Sequence, residues 1–194
     1  MILPKDPTRE SEIGCILGKY DNIPYGEEAD EYCMRCALEL ADLAAEHDET
    51  PVGCVIARDG KLIAGDFNGR EGLKNGLYHA EIGAISKACE ILGGWRLTRC
   101  TLYVTVEPCP MCAGAIWAAR VPRVVVGAAD PKAGFYGSVA DLNSFPVNHK
   151  PEIKTGVLKQ ECSDLISSFF RNKRKPVKEE ADCGEDSPKG VMLR

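Results

Sequence analysis

The sequence predicts an α/β fold, a three-layer α/β/α sandwich built around a mixed sheet. Three observations support this prediction. The chain has 194 residues, a length typical of one domain. Hydrophobic residues make up 44% of it, which is enough for a sizeable core. Strand-like and helix-like patterns alternate along the chain, as is typical of helices packed on a central sheet.

Each predicted element has its own signal in the sequence. Apolar residues recur at helical spacing over 30–46, which predicts an amphipathic helix. Asp59-Gly60 supplies the turn of a β-hairpin, and Gly93-Gly94 ends the second helix. Pro110 fits the first position of the third helix, where no N–H group is needed. The predicted helices cover 30–46, 82–92, 110–120 and 161–174, and the predicted strands cover 51–57, 61–65, 101–106 and 123–128.

The same patterns divide the chain into three parts. The folded core is predicted to cover 28–175. It follows an N-terminal extension over 1–27, in which Pro, Gly and charged residues show no sustained periodicity. Residues 176–194 contain Pro, Gly, Asp, Glu and Lys with little to bury, which predicts a disordered tail.

Charge and hydropathy exclude several classes of function. The formal net charge is −5, so a nucleic-acid partner would need a local basic patch rather than a basic body. No apolar run approaches the ~20 residues that span a membrane, and the N-terminus lacks the apolar stretch of a secretory signal. We therefore expect a cytoplasmic protein without a membrane partner, in which the ten cysteines are free thiols or metal ligands.

Two short motifs carry the predicted chemistry. His79-Ala80-Glu81 and Cys109-Pro110-Met111-Cys112 each stand at the start of a predicted helix. Two cysteines at this spacing lie on one helical turn, where the helix N-terminus favours thiolates. With His79 they provide three zinc ligands and leave a fourth position open for water, which is typical of a catalytic site. Glu81 is predicted to move protons without binding the metal.

A Cys-x-x-Cys spacing on its own is a weaker signal. Cys33 and Cys36 have the same spacing, but they lie in mid-helix without a nearby histidine, so we predict that they are packing residues. A structural zinc site would need a fourth protein ligand, and the sequence places no fourth Cys or His beside the two motifs. The two motifs in this order are the signature of zinc-dependent nucleobase deaminases.

The similarity to one family extends well beyond the zinc motifs. The chain resembles the bacterial tRNA-specific adenosine deaminases, members of the cytidine/deoxycytidylate deaminase superfamily, over about 28–175. The resemblance implies a cytidine deaminase-like fold with a mixed five-stranded sheet. The stretches that carry it are Pro51-Val52-Gly53, His79-Ala80-Glu81-Ile82, 102–115, 122–128, Asp130-Pro131-Lys132-Ala133-Gly134, Gly137-Ser138 and Phe169-Phe170-Arg171.

The resemblance also implies a function. This family converts the wobble adenosine, the first anticodon nucleotide, to inosine in tRNA. One zinc ion per subunit would be held by His79, Cys109 and Cys112, and Glu81 would shuttle protons while a zinc-bound water attacks C6 of adenine. The implied partner is the tRNA anticodon stem-loop, bound by a homodimer, and no nucleotide cofactor is involved.

Substrate-binding residues are expected in three places. Asn68 matches the family residue that contacts the target nucleoside, and Ala80 lies within the zinc motif. Asp130 matches a family position in the tRNA-binding loop, which also contains Lys132. These four assignments follow from the resemblance.

The third place is the C-terminal helix, where aromatic and basic residues stand together. Phe169 and Phe170 could stack on splayed bases while Arg171 and Arg174 meet phosphates. Either phenylalanine could instead anchor the helix to the core. We place Phe169, Arg171 and Arg174 among the expected substrate contacts.

One loop departs from the family's pattern, and two other functions stay open. Residues 74–78 read Lys-Asn-Gly-Leu-Tyr where many members carry Asp-Pro-Thr-Ala, and the bulkier Leu77 and Tyr78 leave this loop's contacts with neighbouring nucleotides open. The chain could be a deaminase of free cytosine, guanine or a nucleoside, or a non-catalytic RNA-binding subunit that keeps zinc for structure. The Lys132-Ala133-Gly134 loop favours tRNA, and Glu81 argues against a non-catalytic subunit.

Overall fold

The computed structural model describes residues 6–26 and 28–174 as five α-helices, five strands and two short 3-10 helices. The tail over 176–194, predicted to be disordered, lies outside the described residues. The helices are α1 (Pro7–Leu17), α2 (Glu28–Glu46), α3 (Ala80–Leu92), α4 (Pro110–Ala118) and α5 (Lys159–Lys173), the strands are β1 (Gly53–Arg58), β2 (Lys61–Phe67), β3 (Cys100–Val106), β4 (Arg123–Ala128) and β5 (Glu152–Thr155), and the 3-10 helices are Gly18–Tyr20 and Leu142–Ser144.

The five strands form one mixed sheet in the order β2-β1-β3-β4-β5. Strand β1 pairs antiparallel with β2 and β3, whereas β4 pairs parallel with β3 and β5. The β1–β2 pair is the predicted hairpin, and Asp59 and Gly60 both have positive φ in its two-residue turn (52° and 77°). The parallel pair β3–β4 is joined by α4, which crosses one face of the sheet.

Alternate side chains of the strands face two separate cores, because successive residues of a strand point to opposite faces. Cys54 and Ile56 of β1 pack in a cluster with residues of α3 and α4. Val55 and Ala57 of the same strand pack with residues of α1, α2 and α5. The structure therefore confirms the predicted three-layer α/β/α sandwich around a mixed five-stranded sheet.

Strand β5 is the one strand of the sheet that the hydrophobic pattern missed. The sequence pattern predicts a long loop between β4 and the last helix, and this prediction is wrong for Glu152–Thr155. The strand lies at the edge of the sheet, where only Ile153 is partly buried, so no apolar alternation marks it. Strand β5 forms because its four residues pair in parallel with residues 123–126 of β4.

The N-terminal extension contains a helix that packs on the domain. In α1 the Asp6 side chain accepts hydrogen bonds from the backbone of Thr8 and Arg9, which caps the helix. Only Arg9 and Ile13 of this helix are buried, so its apolar face is too small to show as a periodic pattern. Across residues 6–26 and 28–174, no helix has the length and apolar character needed to cross a membrane.

Candidate active site

Two helix N-termini bring the predicted metal ligands together. His79 is the N-cap residue of α3, and Cys109 is the N-cap residue of α4; both have extended backbone just before the helix begins. Cys112 lies in the first turn of α4, behind Pro110 at the first helical position. The N-terminal ends of both helices carry partial positive charge, which favours thiolate ligands at this point.

The separations of these side chains match tetrahedral zinc. His79 Nδ1 lies 3.5 Å from Cys112 Sγ and 3.7 Å from Cys109 Sγ. Tetrahedral bonds of ~2.3 Å to sulfur and ~2.0–2.1 Å to nitrogen would separate the two atoms by about 3.6 Å. The three side chains therefore fit one zinc ion with a fourth position open. Within residues 6–26 and 28–174, they form the one group of three or more His, Cys, Asp or Glu side chains close enough to hold a metal.

The two cysteines differ in their tendency to ionise. A hydrogen bond with Cys112 lowers the pKa of Cys109 to about 4, although burial alone would raise it. A hydrogen bond with His79 lowers this pKa further. The same contact, together with burial, raises the pKa of Cys112. The protein itself thus favours a thiolate at Cys109, and a metal would have to displace the proton of the second thiol.

Glu81 is a buried carboxyl group beside the ligands. It lies in the first turn of α3, is 3% exposed, and lines the same cavity as His79 and Cys109. Burial raises the pKa of Glu81, because removal from water disfavours the charged form. A carboxyl group with a pKa moved toward neutrality can both accept and donate a proton, as a proton shuttle requires.

A cavity of about 800 Å³ opens beside the ligand set, between α5 and the loops that follow β2 and β4. Ala80 does not line it, because its side chain is fully buried in the core under α3, and Cys112 is buried away from its wall. Exposed Arg70, for which no sequence pattern predicts a role, is part of the wall. The predicted residues that line the cavity are Asn68, His79, Glu81, Cys109, Asp130, Lys132, Arg171 and Arg174.

Helix α5 presents one of its two phenylalanine rings to this cavity. Phe170 lines the cavity and is 41% exposed. Phe169, predicted from the sequence to be a substrate contact, does not line it. The Phe169 ring packs edge-on against the Phe170 ring, with 5.5 Å between their centroids. Lys173 Nζ also lies over the Phe169 ring, 4.9 Å from its centroid. Adjacent helical residues point about 100° apart, so only the docking of α5 on the sheet decides which ring faces the cavity.

The carboxylate of Glu49, which no sequence pattern indicated, holds Asn68 in the cavity wall. Asn68 Nδ2 donates a hydrogen bond to Glu49 Oε2 at 3.0 Å. Glu49 Oε1 accepts from the backbone N–H groups of Glu71 and Gly72 at 2.8 and 2.7 Å. Because Asn68 Nδ2 is committed to Glu49, its carbonyl oxygen can be offered to a ligand. In the sequence, Glu49 stands in a charged run after α2 that is typical of a solvated surface.

Glu107 organises the opposite wall, the loop over 130–138. Its carboxylate accepts hydrogen bonds from the backbone N–H groups of Asp130, Tyr136 and Ser138 and from the Ser138 hydroxyl. Burial opposes ionisation, but these hydrogen bonds outweigh it, so the pKa of Glu107 lies below its ordinary value. A Cβ at Gly134 would overlap this carboxylate, which explains the glycine in the Lys132-Ala133-Gly134 stretch.

Comparison with known proteins identifies the family. A family model of the cytidine and deoxycytidylate deaminase zinc-binding region matches residues 27–128. The tRNA-specific adenosine deaminase of Bacillus subtilis (strain 168) is 46% identical over 150 residues, which are 77% of this chain and 93% of that relative. This chain belongs to the zinc-binding deaminase family, among the tRNA-specific adenosine deaminases. The family and the geometry of the His79, Cys109 and Cys112 group together give one zinc ion per subunit.

Solved structures of deaminases share the fold. One comes from studies of A-to-I editing by tRNA deaminases at the wobble position of transfer RNA. It is 42% identical, has a TM-score of 0.68, and covers 69% of this chain and 98% of its own. The guanine deaminase from Nitrosomonas europaea, 23% identical with a TM-score of 0.65 over 88% of this chain and 96% of its own, shows the fold alone. Because one fold serves different bases, the substrate has to be argued from the site.

Proposed function

We propose that this protein is a zinc-dependent hydrolase that deaminates the wobble adenosine of tRNA to inosine. One observation carries the proposal: a buried proton-transfer group and two of the three zinc ligands, His79 and Cys109, line a cavity with a basic rim. Glu81 supplies the proton-transfer group, and His79, Cys109 and Cys112 would hold the zinc.

The basic rim supports a polyanionic substrate. The whole chain carries a net charge of −5, but exposed basic side chains gather at the cavity. They belong to Arg70, Lys132, Arg171 and Arg174. Phosphate contacts position a nucleic acid and supply much of its affinity, whereas a free base offers no phosphate. Phe170 adds an exposed ring on which an unstacked base of a single-stranded loop can stack.

The residues of the chain account for the movement of protons. When bound, zinc supplies a Lewis acid that makes hydroxide available from water near neutral pH. Glu81 accepts a proton from the attacking water and passes it to N1 of adenine as oxygen adds to C6. Glu81 then takes the proton of the new hydroxyl group and delivers it to the amine, which leaves as ammonia. The raised pKa of Glu81 suits a group that must be both base and acid in one cycle.

Sequencing of treated tRNA tests the proposal. A tRNA pool is incubated with the purified protein, and inosine is detected as A-to-G changes at the wobble position. Cytosine, guanine and their nucleosides are incubated in parallel and ammonia is measured. A Glu81→Ala preparation, purified identically, controls for contaminating deaminases. Ammonia from the free bases or nucleosides without inosine in tRNA would reject the tRNA assignment in favour of a small-substrate deaminase.

The proposed assembly and location of the protein rest on its resemblance to the tRNA-specific adenosine deaminases. We infer that the protein acts as a homodimer in the cytoplasm and binds the tRNA anticodon stem-loop. Light scattering after size-exclusion chromatography measures the mass of the assembly against 21.1 kDa for one chain. A monomer that retains full activity on tRNA would contradict the dimer.

A further inference from the structure

The N-terminal helix α1 contacts the segment that leads into the zinc site. Arg9, in its first turn, is 7% exposed. Its Nε and Nη2 donate to Asp66 Oδ1 at 3.1 and 2.6 Å, and Nη2 also donates to the carbonyl oxygen of Phe67. Asp66 and Phe67 end β2, directly before Asn68. Arg9 therefore fixes the point at which the 68–78 loop begins.

Arg9 also contacts the residue at which that loop ends. Its guanidinium carbon lies 3.4 Å from the centroid of the Phe67 ring and 5.1 Å from that of Tyr78. The Tyr78 hydroxyl donates to Asp66 Oδ2 at 3.3 Å. The backbone N–H of Gly69 donates to the Tyr78 carbonyl at 3.0 Å, which joins the two ends of the loop. Arg9 and Tyr78 close over Gly69 so tightly that an added Cβ there would lie 3.1 Å from each of them.

A network of charged side chains around buried Asp66 anchors this contact to α3. Asp66 is fully buried, and its Oδ2 lies 3.0 Å from Lys87 Nζ on α3. The same Lys87 Nζ lies 3.0 Å from Glu10 Oε1 on α1. A Cβ at Gly83 would overlap the Asp66 carboxylate, so the glycine lets α3 approach it. Within the network, the Arg9–Asp66 pair is shielded from water, with side chains 8% and 0% exposed, whereas Lys87 and Glu10 reach the surface.

Two departures from the family's pattern meet in this network. The extension over 1–27 lies outside the stretch that resembles the family, and Tyr78 belongs to the unusual 74–78 stretch. Tyr78 is buried against Arg9 and Asp66, whereas its neighbour Leu77 is 51% exposed. The bulky residue directly before His79 therefore packs inward against the extension. The extension and the altered loop form one structural unit.

We propose that α1 is a positioning element of the substrate site and that Arg9 is its positioning residue. Through Asp66, Phe67 and Tyr78 it holds both ends of the 68–78 loop, and thereby aligns Asn68 and His79 across the cavity. This inference rests on the proposed function, because alignment is expressed in turnover of tRNA.

The test compares Arg9→Ala with Lys19→Ala. In the Arg9 variant, Asp66 keeps Lys87 and Tyr78 as partners, so the fold is expected to persist. Misalignment of a site by about an ångström costs on the order of 10²-fold, and we expect kcat/KM for tRNA to fall ~10–100-fold. Zinc per subunit stays unchanged, and amide hydrogen exchange accelerates in 69–78. Lys19 is the control residue: it also joins the N-terminal extension to the domain, through an exposed pair with Glu39 of α2 at 2.6 Å. The Lys19–Glu39 pair does not include the 68–78 loop, so Lys19→Ala should leave kcat/KM unchanged.

A purely structural role would give a different result. It would lower the melting temperature while kcat/KM at 25 °C and hydrogen exchange in 69–78 stayed at wild-type values, and this outcome overturns the proposal. Two gentler variants cover the case in which Arg9→Ala does not fold. Tyr78→Phe keeps the ring and removes only the bond to Asp66. Arg9→Lys keeps the charge but cannot reproduce the two hydrogen bonds that Nε and Nη2 donate to Asp66 Oδ1. Both should show smaller losses of kcat/KM in the same direction, and wild-type kinetics in both would reject the positioning role.

Inosine formation tests the proposed function, and hydrogen exchange tests the contact of α1 with the loop independently of it. If the wild-type protein forms no inosine in tRNA, the proposed function fails. Hydrogen exchange in Arg9→Ala still tests the network in that case. Faster exchange confined to 69–78 supports the structural unit, and unchanged exchange there overturns it.

Discussion

Replacing Glu49 with glutamine tests how the protein orients Asn68. Glu49 is 2% exposed, and its two oxygens accept hydrogen bonds from Asn68 Nδ2 and from the backbone N–H groups of Glu71 and Gly72. Glutamine keeps one oxygen and turns the other into an NH₂ donor. The remaining oxygen is expected to keep accepting from the backbone N–H groups of Glu71 and Gly72, because a backbone N–H can only donate and cannot be reoriented. The new NH₂ group then faces Asn68 Nδ2, and two donors oppose each other.

The size of the effect follows from this geometry. Asn68 can regain its bond only by turning its amide over, which presents NH₂ instead of the carbonyl oxygen to the cavity. A hydrogen bond to a charged group contributes ~1.5–3 kcal/mol, and ~1.4 kcal/mol corresponds to a tenfold change in rate. We therefore expect Glu49→Gln to lower kcat/KM for tRNA roughly 10–150-fold, with zinc retained.

The assay follows inosine formation over time in an anticodon stem-loop that carries adenosine at the wobble position, with zinc measured by atomic emission. Glu39→Gln is the matched control, because it removes one negative charge from α2, where Glu39 forms an exposed pair with Lys19 and also accepts a hydrogen bond from the Tyr20 hydroxyl. Exposed pairs contribute ~0–1 kcal/mol, so this control should stay within about fivefold of wild type. If Glu49→Gln keeps wild-type kcat/KM with a full complement of zinc, Glu49 does not set the orientation of Asn68.

Three further predictions address proton transfer, stability and the second cavity wall. Glu81→Ala should retain zinc and lower inosine formation by at least ~10²–10⁴-fold, the usual contribution of a general acid–base group, and an active variant would show that another group moves the protons. Arg123 lowers the pKa of buried Asp30 from 3.8 to about 2, so the ionised carboxylate stabilises the fold above pH ~4 and this stability is lost as pH falls through about 2. At ~1.36 kcal/mol per pKa unit, Asp30→Asn should cost about 2 kcal/mol in urea unfolding at pH 7, and a variant as stable as wild type at pH 7 would contradict the linkage. Gly134→Ala should push the 130–138 loop off Glu107 and lower kcat/KM for tRNA without loss of zinc; wild-type kinetics would show that this wall does not contact the substrate.

The metal chemistry could be predicted from the sequence because its requirements are local. Two cysteines three residues apart share a helical turn wherever the helix packs, and Pro110 between them sets where the helix begins. A histidine and a glutamate two residues apart at the start of the preceding helix, α3, keep a ligand and a proton-transfer group close together. The strands that carry apolar runs were predicted for the same reason, since burial on both faces is written into consecutive residues. The exception was β5, an edge strand defined by pairing rather than by burial.

The walls of the site were decided by tertiary structure. Glu49 stands in a charged run and Glu107 just before the cysteine motif, but neither position indicates the role of its side chain. Those roles exist only because folding brings backbone N–H groups of distant loops to the two carboxylates. The choice of Phe170 over Phe169 depends on how α5 docks, and the contact of Arg9 with Asp66 joins residues 57 positions apart. The reaction chemistry could be predicted from the sequence, because the spacing within each of the two motifs places its residues together at one helix start. The side chains that shape and align the substrate cavity could be identified only in the folded protein, because their contacts join segments whose separation along the chain shows no pattern.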